Sequence, residues 1–319
     1  MSAAPAPLSM EDRKAATSRV TALAVAVAAG LAALKFGVWW VSGSVALLAS
    51  AADSALDLAA SLVTFFVVRF AAKGPDHEHR FGHGKAEAFA ALLQGGLVLV
   101  SAVLVGREAV ERLLQPEAPQ QGGLAMGVMV LSIVVSAALV LAQTRVLKQA
   151  QSPAVEGDRA HYAADLASNL ASLAGIAGAT LLGWLWADAA AGLVVCAWLV
   201  WGALGVFRHA ADHLMDRELP DADRDRVGEL ILRSSPQIRG VHQLRTRASG
   251  PYLHVQAHVD LAPTLTLADA HRILVEAERR VLAEFPNADI LLHPDPGEEA
   301  EPHGGPFGES PDAAERAAR

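Results

Sequence analysis

Residues 45–72 read VALLASAADSALDLAASLVTFFVVRFAA, an apolar run that contains two aspartates. The hydrocarbon core of a membrane is roughly 30 Å thick and takes about 20 helical residues to cross, so this run predicts a transmembrane helix. Asp53 and Asp57 stand at positions i and i+4 and therefore project from one face of that helix. A charged side chain inside a membrane costs roughly 2.5 to 3.5 kcal/mol on insertion scales, so the pair predicts a bound cation.

A second apolar run carries a matching pair of polar residues. Residues 160–182, AHYAADLASNLASLAGIAGATLL, place His161 and Asp165 at the same i, i+4 spacing. Three carboxylates and one imidazole, two ligands from each helix, make up the four ligands of a closed tetrahedral zinc site. The two runs together predict a divalent metal site between two transmembrane helices.

A structural interpretation competes with the metal site. The carboxylates of Asp53 and Asp57 would then only hydrogen-bond to polar side chains inside the helix bundle, and His161 would be a surface residue near the membrane interface. The candidate partners of the two aspartates are Ser54, Ser61 and Asn169.

Six apolar runs of this length predict an all-α bundle of six transmembrane helices, in which residues 149–158 form one of the polar breaks. Lys and Arg concentrate at the N-terminus, in the breaks after spans two and four, and after span six, which predicts that both termini are cytoplasmic. Residues 1–17 would be a cytoplasmic tail without the apolar stretch of a cleavable signal peptide, and residues 18–208 the transmembrane domain. The predicted spans are 18–41, 45–72, 86–114, 124–147, 160–182 and 184–206.

The composition of the 319 residues agrees with a membrane unit joined to a polar one. Apolar residues make up 52% and charged residues 19%, and the mean hydropathy is +0.30. The net charge of −8 divides into −1 for residues 1–215 and −7 for residues 216–319. This acidic balance argues against nucleic-acid binding, which needs clustered Lys and Arg. Cys196 is the only cysteine, so any metal site must use His and carboxylates.

The polar unit follows the order helix, strand, strand, helix, strand. Helices are predicted over 222–233 and 267–285, and strands over 241–247, 252–261 and 289–292. A hairpin followed by a crossover helix predicts a cytoplasmic α+β domain of ferredoxin-like, metallochaperone-like type over residues 209–297. Residues 298–319 are acidic and rich in Pro and Gly, and we expect them to be disordered.

These motifs, together with the loop HRFGHGKAE over residues 79–87, resemble the cation diffusion facilitator family, in its bacterial zinc and ferrous-iron efflux branch. The resemblance covers residues 18–296. It implies a homodimer that exchanges a divalent metal for protons, with a transport site formed by Asp53, Asp57, His161 and Asp165.

The resemblance also implies two further groups of ligands and one contact between subunits. Asp76, His79 and His83 would form a loop metal site. Lys85 and Asp216 would form a charge pair that interlocks the dimer. The cytoplasmic zinc cluster would consist of His242, His258, His271, His293 and Asp295.

Without the resemblance, the scattered histidines of the polar unit indicate solvated surface residues as much as a metal site. His209 and His213 have the i, i+4 spacing of helical metal ligands, yet histidines also favour a helix C-terminus, and that interpretation is preferred. Lys35 is interpreted as a residue that snorkels to the membrane interface.

The predicted function is efflux of a divalent metal from the cytoplasm across the bacterial plasma (inner) membrane by proton antiport and alternating access. Zinc is the expected cargo and regulatory metal, because His161 stands where manganese-transporting relatives carry asparagine, and cadmium and iron(II) suit the same ligands. The expected partners are a second copy of the chain, lipid, metal ions and protons, with no nucleic acid. The alternatives are a membrane-embedded metalloenzyme, which lacks an open metal position here, and a metal-responsive channel or signalling protein.

Overall fold

Six long helices make up the described part of the first unit of the protein. The computed structural model describes residues 10–42, 45–114, 123–150, 152–182 and 186–297. The predicted disordered segment 298–319 and most of the predicted N-terminal tail lie outside these residues. The helices are α1 (Met10–Ser42), α2 (Val45–Ala71), α3 (Ala86–Leu114), α4 (Gly123–Leu147), α5 (Pro153–Leu182) and α6 (Trp186–Leu214).

Five of the six helices are long and apolar enough to cross a membrane, judged over the described residues: α1, α2, α3, α4 and α6. The described part of α5 is more polar, because it carries Glu156, Asp158, Arg159, His161 and Asp165. A helical transmembrane region is therefore confirmed, and the sixth span stays a prediction.

The predicted polar break at 149–158 is wrong in its second half. Helix α5 already begins at Pro153, and Asp158 lies inside it. Ser152 precedes the helix, and its Oγ accepts a hydrogen bond from the backbone N–H of Val155 at 3.3 Å. Serine followed by proline is a common helix start, since proline lacks the N–H that would be unsatisfied there.

Helices α3 and α5 pack closely because α5 carries a glycine at the contact. A Cβ added to Gly157 would lie 2.9 Å from the Cα of Ala91 and 3.0 Å from the Cβ of Gln94. Neither atom belongs to a flexible side-chain end, so a larger residue would push the two helices apart. The spacing of α3 and α5 therefore depends on Gly157.

Replacing Gly157 by alanine is expected to destabilise the protein by about 1 to 3 kcal/mol, the usual cost of overpacking. The matched control is Gly30→Ala in α1, where an added Cβ meets nothing within 4 Å. That change should be neutral or slightly stabilising, because alanine favours a helix interior. Thermal unfolding of both variants in detergent tests this, and equal effects would contradict the packing described for Gly157.

The second unit begins after Asp212 and combines two helices with three strands. Its order matches the predicted one, with bounds that differ by up to three residues. The sheet order is β1-β2-β3, with β1 and β2 antiparallel and β2 and β3 parallel. The elements are α7 (Asp221–Leu232), β1 (Gly240–Ser249), β2 (Tyr252–Asp260), α8 (Leu267–Glu284) and β3 (Ala288–Asp295).

Apolar side chains of both helices cover one face of this sheet. Ile231 of α7 and Val281 of α8 are fully buried with Val255 and Val259 of β2. Each such side chain contributes roughly 1.5 to 3 kcal/mol. The alternation of β2 directs its even-numbered residues to the opposite face. A small α/β domain is thus confirmed. Strands β2 and β3 pair directly, whereas a split βαβ unit has another strand between its two parallel strands. The ferredoxin-like class therefore stays a prediction.

Candidate metal centres

A cluster of three ionisable side chains lies between α2 and α5. His161 Nε2 is 3.0 Å from Asp57 Oδ1 and 3.8 Å from Asp165 Oδ2. One ligand atom from each residue lies within 4.8 Å of the other two. His161 is only 5% exposed, while Asp57 and Asp165 are partly exposed. The i, i+4 spacing on α5 brings His161 and Asp165 to one face, and α2 supplies Asp57 opposite them.

Asp53, the fourth predicted ligand, is not part of the cluster of described ligand atoms and is exposed. The residue that follows it, Ser54, is buried and accepts a hydrogen bond from Lys35 Nζ at 2.7 Å. The prediction that Lys35 snorkels to the interface is therefore wrong: its ammonium group points to α2. Sequence spacing did not reveal this, because the contact joins two helices.

Asp158 is a functional candidate that the sequence prediction missed. It is 0% exposed, and its carboxylate accepts hydrogen bonds from three helices. Gln143 Nε2 of α4 donates at 2.7 Å, Gln94 Nε2 of α3 at 3.2 Å and Ser61 Oγ of α2 at 3.4 Å. Asp158 stands three residues before His161, so the helical stripe of 158, 161 and 165 is the signal that could have revealed it.

The hydrogen bonds of the serines bear on the structural alternative for the aspartates. Ser61 bonds to Asp158 and, at 2.8 Å, to the hydroxyl of Tyr162, while Ser54 bonds to Lys35. The two serines suggested as partners of Asp53 and Asp57 thus have other partners. Asp57 instead contacts His161, a second potential metal ligand.

The three predicted loop ligands, Asp76, His79 and His83, come together between α2 and α3. His83 Nε2 lies 3.3 Å from Asp76 Oδ2, and His79 Nδ1 lies 3.5 Å from Asp76 Oδ1. The backbone N–H of His79 donates to Asp76 at 2.7 Å and lowers the pKa of that carboxyl. The ionised carboxylate required for metal binding is thereby favoured.

Three histidines form a row across the sheet of the second unit. His242 of β1 pairs with His258 of β2, which in turn pairs with His293 of β3. The ring centroids of neighbouring members are 5.3 Å and 4.8 Å apart. Strand pairing therefore assembles on one face residues that are far apart along the chain.

Asp295 joins this row. It is 4% exposed, and its carboxylate lies 2.8 Å from His258 Nδ1, 3.2 Å from His242 Nε2 and 3.4 Å from His293 Nε2. Asp260 was missed: its Oδ1 lies 3.3 Å from His242 Nε2, and its strand parity with His258 is the signal that could have identified it. His271 is exposed on α8 and lies outside the group of His242, His258 and Asp295.

His254 and His209 contact carboxylates outside these clusters. His254 Nδ1 lies 3.2 Å from Asp289 Oδ2, and burial lowers the pKa of this imidazole, which favours a neutral structural residue. His209 Nδ1 lies 2.8 Å from Glu156 Oε1. Neither residue belongs to a cluster of three or more ligands among the described residues.

The predicted interlock joins residues of different units, Lys85 and Asp216. Within the second unit, Asp216 Oδ1 accepts a hydrogen bond from Arg247 Nη1 at 3.0 Å. The pairing of Asp216 with Lys85 stays a prediction.

Comparisons with known proteins agree along most of the chain. The model of the cation efflux transmembrane domain matches residues 21–215, and that of the cation efflux protein cytoplasmic domain matches residues 219–297. The cation-efflux pumps FieF of Salmonella schwarzengrund (strain CVM19633) and Salmonella choleraesuis (strain SC-B67) are each 37% identical over 279 residues, which cover 88% of this chain and 92% of the relative.

A solved structure of CzrB in its zinc form is 28% identical, covering 27% of this chain and 99% of that chain, with a TM-score of 0.25, too low to bear on the fold. The family models and the FieF relatives confirm the resemblance carried by the sequence motifs. The chain belongs to the cation efflux, or cation diffusion facilitator, family and is an integral membrane cation efflux transporter rather than an enzyme.

Proposed function

We propose that this transporter exports a divalent metal ion, with zinc as the expected cargo, from the bacterial cytoplasm across the inner membrane in exchange for protons. The observation that carries the proposal is the cluster of Asp57, His161 and Asp165 between α2 and α5, in which His161 is buried. Asp53 would complete the site as its fourth ligand. A rotation or shift of α2 during transport, of the kind used in alternating access, would bring it to the other three ligands.

Metal and protons compete for the same atoms in this mechanism. Imidazole coordinates a metal only when the binding nitrogen is deprotonated, and a carboxylate only when it is ionised. His161 would give up a proton when the metal binds and take one up when the metal leaves. Inward flow of protons would then drive the metal outward, while the site opens to one side of the membrane at a time.

The ligand types favour zinc among the physiological metals. One imidazole with carboxylates suits zinc and also cadmium and iron(II). For a given set of nitrogen and oxygen ligands, zinc binds more tightly than iron(II) in the Irving–Williams order. The FieF relatives are named cation-efflux pumps without a stated metal, so the cargo has to be established by transport.

The protein is tested in vesicles that contain the purified transporter and a metal-sensitive dye. We expect zinc uptake to be measurable in these vesicles. Added cadmium should inhibit this uptake strongly, and iron(II), kept in its reduced form, should inhibit it more weakly. Magnesium, which demands six oxygen ligands in octahedral geometry, should not compete. Magnesium competition as strong as that of cadmium would contradict the proposed site.

The second unit would serve as a cytoplasmic metal sensor in a six-span homodimer, with the loop site as an entry point. Metal at His242, His258 and Asp295 would offset part of the −7 charge of residues 216–319 and favour association of two such domains. Association of the two domains on metal binding would couple the cytoplasmic metal concentration to the transport rate. The dimer interlock between Lys85 and Asp216 belongs to this proposal.

Replacing His242 or His293 by alanine is expected to shift the metal concentration at which transport is half-maximal by about tenfold or more, while the maximal rate changes less. The matched control is Gln256→Ala, because Gln256 is exposed and lies on the same face of β2 as His258. Transport rates are measured against zinc concentration in vesicles. An unchanged concentration dependence in both histidine variants would exclude the sensor.

A further inference from the structure

Lys35 places a positive charge inside the membrane unit beside the metal cluster. Its Nζ donates to Ser54 Oγ at 2.7 Å, and Ser54 is 2% exposed. Lys35 lies about two turns before the end of α1, and Ser54 about two and a half turns inside α2, so the contact is well within both helices. A lysine that only snorkels would direct its ammonium group towards the helix end.

The carboxylates of the candidate transport site lie within electrostatic range of this ammonium group. Asp57, Asp165 and Asp53 all attract the charge of Lys35. Ser54 follows Asp53 and precedes Asp57 by three residues on α2, so its hydrogen bond holds the Nζ beside the helix that carries both aspartates, outside the cluster of Asp57, His161 and Asp165. Lys35 is therefore near enough to act on a bound cation through its field, and it leaves the ligand positions free.

The charge of Lys35 acts against that of the carboxyl groups around the site. Asp57 and Asp165 belong to the cluster, Asp53 precedes Ser54 on α2, and the fully buried Asp158 lies three residues before His161. These groups attract a cation, and the ammonium group of Lys35 opposes that attraction.

We propose that Lys35 is a fixed counter-charge that makes the transport site discriminate against cations of higher charge, a specificity-determining residue that does not itself bind the metal. The inference rests on the proposed function, since it requires the ion to bind at Asp57, His161 and Asp165. Lys35 repels every cation at the site, and the repulsion grows with the charge of that cation. It thereby disfavours trivalent ions more than divalent ones.

The test compares Lys35→Met with Lys35→Arg in the purified full-length protein. Affinities for Cd²⁺ and Tb³⁺ are measured by titration. Binding at the transport site is identified as the part of the metal binding that is lost in the Asp57→Asn variant. Lys35→Met should raise the ratio of Tb³⁺ affinity to Cd²⁺ affinity by about tenfold or more, because the repulsion it removes is larger for the higher charge. Lys35→Arg keeps the charge and should leave the ratio near that of the unmodified protein.

A purely structural role of Lys35 predicts a different result. Lost packing would weaken the binding of Tb³⁺ and Cd²⁺ in proportion and leave the ratio of their affinities unchanged. Lys35→Gln gives the same readout should Lys35→Met not fold. An unchanged ratio in the neutral variant, with Asp57→Asn still removing binding, overturns the role of Lys35 and leaves the proposed function intact. If Asp57→Asn removes no binding, the proposed transport site and the inference both fail.

Discussion

Replacement of Asp57 by alanine is expected to abolish metal transport, with a loss of at least about 100-fold in rate. Asp57 is the residue that α2 contributes to the cluster of described ligands, and its Oδ1 lies 3.0 Å from His161 Nε2. Residues that merely support metal ligands are worth roughly 10- to 100-fold in affinity or activity, so the loss of a ligand should cost more. Zinc uptake into vesicles measures the effect.

The matched control for this variant is Leu56→Ala, since Leu56 is the neighbouring residue on α2 and is exposed. Its replacement should leave transport almost unchanged. Asp57→Ala should also keep its thermal unfolding temperature near that of the unmodified protein, because a carboxylate within the membrane is not a stabilising group by itself. Transport by a folded Asp57→Ala variant would show that the metal crosses elsewhere.

Replacement of Asp158 by alanine is expected to lower the free energy of unfolding by about 2 to 4 kcal/mol. The carboxylate accepts hydrogen bonds from Gln94 and Gln143, and without it two buried amides lose an acceptor, each at a cost of roughly 1 to 3 kcal/mol. Unfolding is followed in detergent by denaturant titration.

A double-mutant cycle with Gln143→Ala separates this contact from general damage to the bundle. The effects of Asp158→Ala and Gln143→Ala should be less than additive, because the 2.7 Å hydrogen bond between the two residues is lost only once. Strict additivity would mean that this hydrogen bond does not contribute to stability. The cycle thus tests the network at Asp158 independently of transport.

The residues that share one helix or one strand could be predicted from the sequence. The i, i+4 spacing placed His161 and Asp165 on one helix face, and the structure brings Asp57 of α2 to them, whereas Asp53 is exposed and outside the cluster of described ligands. The elements of the second unit were likewise readable, because apolar alternation and apolar helical stripes are local patterns. The row of histidines across the sheet follows once the strand register is known.

Contacts between helices could not be predicted in the same way. Polar residues near Ser152 lower the local hydropathy and suggested a break, whereas in the fold Ser152 donates to Glu87 of α3 and Asp158 accepts from Gln143 of α4. Lys35 in an apolar run similarly suggested a side chain that reaches the membrane interface, whereas in the fold it donates to Ser54 of α2. A polar residue in an apolar run indicates that a partner exists, but the partner lies on another helix and is set by packing.

The central claim is that metal movement through the Asp57, His161 and Asp165 cluster is exchanged for protons. The most direct test places the transporter in vesicles with a zinc dye and a pH dye, and imposes a pH gradient of either sign. Zinc entry should be accompanied by proton exit, should accelerate when the interior is acidic, and should lose its dependence on the gradient when a protonophore is added. Zinc entry at one rate under every gradient, with no movement of protons, would contradict the account.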